Sequence, residues 1–102
     1  PDATTVVVNF GPADAQATSQ HGGSVLLPSW GFVVDGPRLA AFYAKRWNNQ
    51  DYPAGALFTL QAEGAPLAQA TQVRVFHGFG APTLKWQGRD YEVRRELVIG
   101  RK

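Results

Sequence analysis

A chain of 102 residues with 44% hydrophobic and 18% charged side chains is long enough for one domain with its own core and too apolar for disorder. Its net charge of +2 makes no case for a nucleic-acid partner, and the absence of cysteine excludes disulfides, thiolate metal sites and a thiol nucleophile. No apolar run approaches membrane-spanning length, so no membrane partner is expected.

In chain order, "TTVVVNF" (residues 4–10) reads as a strand, and its unbroken valines suggest one covered on both faces. "GPADAQATSQHGG" (residues 11–23) reads as a loop with room for one weak strand, and it sets His21 on mobile surface. Residues 25–28 and 30–35 read as two short strands split by Pro28, with turn chemistry at Asp35-Gly36-Pro37 and Trp30 expected in the core. "RLAAFYAKRWNNQ" is ambiguous: Leu39, Phe42, Tyr43 and Trp47 fit helical spacing, but a position between strands favours a strand. Residues 48–55 read as a loop. Residues 56–63 alternate as a strand, with Leu57, Thr59 and Gln61 opposite Phe58, Leu60 and Ala62. Residues 64–70 read as a connection.

"TQVRVFH" (residues 71–77) is a strand with Val73, Val75 and His77 on one face, and "GFGAP" ends it, with Phe79 expected to tuck into the core. "TLKWQGRDYEVRRELVIG" reads as a hairpin turning at Gln87-Gly88. Its second strand sets Tyr91, Val93, Leu97 and Ile99 inward and Asp90, Glu92, Arg94 and Glu96 outward, with Arg95 an inward exception near the rim. The sum is a single all-β domain over residues 1–102, an antiparallel β-sandwich of about seven or eight strands, immunoglobulin-like or glycosyl-hydrolase-domain-like.

Charge is unevenly placed. Residues 1–35 hold three aspartates and no Lys or Arg, whereas Lys85, Arg89, Arg94, Arg95, Arg101 and Lys102 gather near the end, which reads as a solvated face with a basic tail. The chain has no methionine, so it is expected to be excised from a longer protein or processed, and Pro1 reads as a boundary rather than a catalytic base. Cysteine usage does not settle the compartment; an extracellular or periplasmic one is the working expectation.

"VVVNFG" (residues 6–11), followed by "LPSWGFVV" (residues 27–34), resembles the β-sandwich domain that follows the catalytic barrel in many glycoside hydrolases. The continuation through "AFYAKRW", "ALFTL" and "VRVFHGFG" is similar to an extended accessory domain of bacterial glycosidase-like proteins. The commoner short version ends soon after the Gly-Phe-Val-Val strand, and this chain runs well beyond it. The resemblance implies a non-catalytic domain partnered with the catalytic domain of the same chain, so no catalytic residue is carried over.

The residues offer little chemistry of their own. Asp90 and Glu92 lie two apart on a strand, about 6.6 Å by strand geometry, a spacing glycoside hydrolysis tolerates, but their row reads as solvated. No Gly-x-Ser-x-Gly elbow presents Ser19, Ser24 or Ser29 to His21 or His77, and two histidines without ligand spacing make no metal site. His77 reads as a packed imidazole bonded to backbone of a neighbouring turn. No cofactor is expected. The aromatics carry the alternative reading, a carbohydrate-binding module: Trp47 and Tyr52 among Asn48, Asn49, Gln50 and Asp51, and Trp86 beside the hairpin turn, are the candidate stacking rings. The opposing expectation is that a small core uses them as filler.

Overall fold

In a computed structural model, residues 4–62 and 65–100 are described. The expectations attached to Pro1, Asp2, Glu63, Arg101 and Lys102 lie outside the described residues. The strands are β1 (Thr5–Val8), β2 (Ala15–Ser19), β3 (Gly23–Leu27), β4 (Phe32–Asp35), β5 (Leu39–Trp47), β6 (Gln50–Ala62), β7 (Gln72–Phe79), β8 (Thr83–Trp86), β9 (Arg89–Glu92) and β10 (Glu96–Gly100). A single 3-10 turn, Leu67–Gln69, is the one helical element among the described residues. The expected all-β antiparallel sandwich is the fold. Eight strands form one sheet, and β8 and β9 form a second, smaller one.

The large sheet is a meander. β1 and β2 run antiparallel to β4 and β3, so residues 5–19 and 23–35 make one long, interrupted hairpin. β5, β6, β7 and β10 follow side by side. This order lacks the Greek-key return between sheets that immunoglobulin domains use. The ambiguous segment is strand β5, buried at every second residue from Ala40 to Ala44. Neighbours on both edges decide it, which periodicity in one segment does not report.

Cross-strand register places the core. Val33, Phe42, Phe58 and His77 form one inward row, and Asp35, Ala40, Leu60, Val75 and Leu97 form the next. Leu67 of the 3-10 turn, Leu84 and Trp86 of β8, and Val93 cover these rows and are themselves buried. Two side chains tie the small sheet down. The Tyr52 hydroxyl donates to the Thr83 carbonyl at 2.6 Å, and Asn48 Nδ2 donates to the Lys85 carbonyl at 2.7 Å.

Several local expectations are corrected. The predicted loop at residues 48–55 is mostly strand: the chain reverses in two residues, Asn48 and Asn49, at φ 53° and 63°, a primed turn between paired Trp47 and Gln50. Pro53 is tolerated because residues 52–55 bulge out of the ladder, between Arg46↔Asp51 and Ala44↔Ala56. The second hairpin strand is broken: β9 stays with β8 across the expected Gln87-Gly88 turn, whereas β10 crosses to pair with β7. Its inward–outward alternation nonetheless holds for Val93 and Ile99 against Asp90, Glu92, Arg94 and Glu96, and Arg95 is exposed. The valines of β1 are not covered on both faces, because β1 is an edge strand; Val6 and Val7 are exposed.

Candidate functional site

The three candidate stacking rings are interior. Trp47 is 0% exposed, Tyr52 1% and Trp86 5%. Trp47 stacks on Phe42 at 4.5 Å with planes 10° apart and faces Trp86 at 6.1 Å and 7° on its other side. It is the rivet between the two sheets. A ring that binds sugar must present a face to solvent, so this burial weighs against the binding role expected as the alternative for Trp47, Tyr52 and Trp86. Burial pushes the Tyr52 phenol well above its ordinary pKa, and the charge of Asp90 adds in the same direction. Its proton therefore stays in place to donate to Thr83.

Trp30 reverses the expectation in the other direction. It is 64% exposed and meets Phe10, also exposed, edge-to-face at 5.4 Å. Its φ of 65° lies in the left-handed region, which costs a bulky L-residue about 1–2 kcal/mol. The bulge that holds it is built around Asn9. The Asn9 amide donates to the carbonyls of Ala13, Leu27 and Pro28, and its Oδ1 accepts from Gly11 N–H. Its backbone bonds Gly31 and Trp30. The residues that carried the family resemblance are thus one structural device, two facing bulges pinned by one asparagine.

The histidines are structural. His21 is anchored, not mobile: its Nε2 lies 2.7 Å from the Gly36 carbonyl. It is two residues from Ser19 and bonds the carbonyl of Gly36, the residue after Asp35, but the Ser19 hydroxyl does not bond to its ring. Ser19 donates its hydroxyl hydrogen bond to Asp35 Oδ1 at 2.7 Å and accepts from Gly22 N–H, so the hydroxyl is held by a carboxylate and a backbone amide rather than by a histidine. His77 packs on Phe58 at 4.7 Å, with Nδ1 3.3 Å from the Arg94 carbonyl and a buried, unpartnered Nε2. The backbone bond expected of it is present on one nitrogen only. Asp90 and Glu92 are both exposed, and Glu92 pairs with Arg94 at 3.6 Å. Among the described residues no group of three or more His, Asp or Glu gathers as a metal site.

What the sequence reading missed is the solvent side of the large sheet. Register aligns Val8, Phe32, Tyr43, Leu57 and Phe79 in one outward row, and Val6, Val34, Ala41, Thr59 and Phe76 in the next. None of these ten is buried, and Val6, Phe76 and Phe79 are exposed. Phe79 reaches this face through a bulge. Phe58 pairs with His77 and Leu57 with Phe79, so Gly78 is the extra residue and the alternation flips after it. A side chain at Gly78 would collide with Leu57 at 2.5 Å, and Phe79 instead lies edge-on to Tyr43 at 5.1 Å. The expectation that Phe79 fills the core fails for this reason.

Ion pairs stand around the apolar rows: Asp14–Lys45 at 3.1 Å, Asp51–Arg46 at 3.7 Å and Glu96–Arg74 at 3.4 Å. Apolar centre and charged periphery together have the layout of a protein interface. The signal was present in β4 and β5, which are apolar on both alternations where a half-solvated strand would be polar on one.

Comparison with known proteins finds no matching family model, no matching curated protein and no matching solved structure.

Proposed function

We propose that this domain is a non-catalytic accessory module that packs on, or caps, the catalytic domain of a carbohydrate-active, glycoside-hydrolase-like protein. The observation that carries the docking role is the outward apolar face of the large sheet, with Tyr43, Leu57, Phe76 and Phe79 at its centre. An antiparallel sheet that ends in solvent is polar on its outer side; one that meets another layer is not. The carbohydrate assignment of the parent rests on the resemblance of residues 6–11 and 27–34. The burial of Trp47, Tyr52 and Trp86 favours a scaffold over a sugar-binding module.

The test uses the catalytic domain of the parent protein, produced separately, and this domain with Phe79→Lys. Phe79 is 47% exposed and outside the core, so the variant is expected to stay within about 1 kcal/mol of the parent stability. Association with the catalytic domain is expected to weaken at least tenfold, because a charge enters the apolar centre. Undiminished association, or glycoside hydrolysis by the accessory domain alone, overturns the proposal.

A further inference from the structure

We infer that β1 is a pairing edge for a second copy of this chain, joined antiparallel to its own β1 across a two-fold axis. The inference concerns the rim of the sheet; it shares Val6 with the outward apolar face, and Phe79, distant from the rim in strand order, separates the two in the test. Three observations carry it. First, β1 pairs with β4 on one side only, so the N–H and C=O groups along its other side have no strand partner among the described residues. Second, its sequence is that of an interior strand: Thr5-Val6-Val7-Val8, with Val6 exposed on the outer face and Val7 on the core face. An edge strand in contact with water is ordinarily guarded by Lys, Pro or an inward charge, and Thr5–Val8 contains none of these, Pro12 lying beyond the strand. Third, four of the exposed large apolar side chains, Val6, Val7, Phe10 and Trp30, cluster on this edge and the bulge next to it.

A second copy fits this edge better than an unlike strand does. Antiparallel pairing of a strand with itself is two-fold symmetric, and the pairing must keep outward residues beside outward residues. Centring on Val6 satisfies both conditions within residues 4–8. Val6 then faces its own counterpart, and no like charges meet. Among the described residues, the charge nearest to β1 along this edge is Asp14, which is paired with Lys45 at 3.1 Å. The opposite rim differs: β10 begins at Glu96 and is preceded by Arg94 and Arg95, so a β1-to-β10 join would set charged residues against valines.

The joint is short, and its affinity is correspondingly modest. Sedimentation velocity over a concentration series is expected to show a monomer–dimer equilibrium. Val6→Lys is expected to weaken dimerisation more than tenfold with circular dichroism and melting unchanged, since Val6 is outside the core. Val6→Glu should do the same, and a mixture of the two variants should dimerise again, because opposite charges then face each other across the axis. Phe79→Lys should leave the dimer intact. The inference is overturned by a monomer at every concentration up to the millimolar range. It is equally overturned by open-ended polymers, by a dimer that survives both Val6 variants, or by a mixture that stays monomeric.

Discussion

Trp47→Ala is expected to cost about 3–5 kcal/mol, the range for emptying a large aromatic from a core. That is a large part of the roughly 5–15 kcal/mol that holds a domain folded. The effect has two parts. The ring is fully buried, so its removal leaves a cavity between Phe42 and Trp86. It also unseats the small sheet, whose Trp86 rests on the lost indole. The indole Nε1 has no hydrogen-bond partner and lies against Gly22, so no polar contact offsets the cavity term. Trp47→Phe should recover more than half of the loss. Urea denaturation of the two variants measures both values. A Trp47→Ala midpoint equal to wild type would place this ring outside the core.

Gly80→Ala is expected to be almost as damaging, by a different route. Gly80 has φ 89°, where an L-residue is strained, and a Cβ there would collide with backbone, the Gly55 carbonyl oxygen and Ala56 Cα. Neither neighbour is a side-chain tip that swings aside, so the strands must separate. Overpacking costs about 1–3 kcal/mol and the conformation about 1–2 kcal/mol more. Gly88→Ala is the control: its φ is 79°, but nothing lies near its Cβ, so it should pay only the conformational part. The difference in melting temperature between the two variants isolates the close approach.

Most strands were legible because each carries its own signal: β-branched runs, alternation in β6, β7 and β10, and turn residues at Asp35-Gly36 and Gln87-Gly88. Bulges were not. Gly78, residues 52–55 and the facing pair at residues 10–14 and 28–31 each shift the alternation, and a shift is fixed by the partner strand rather than by the local sequence. That is why Phe79 turns outward and Trp30 rises into solvent, while Trp47, read as a candidate stacking ring, lies at the centre. The strand order was equally hidden: Val6-Val7-Val8 reads as interior, and only the neighbours reveal an edge. The outward apolar face follows from register across five strands, a property no single segment contains.

Core and docking face differ in which aromatic rings meet water, and hydroxyl-radical footprinting of the folded domain reads that residue by residue. The expected pattern is strong oxidation of Phe10, Trp30, Phe76 and Phe79, with Trp47, Tyr52 and Trp86 protected. Oxidation of Trp47 or Trp86 at a rate like that of Trp30, with Phe76 and Phe79 shielded, would contradict both the core and the docking face.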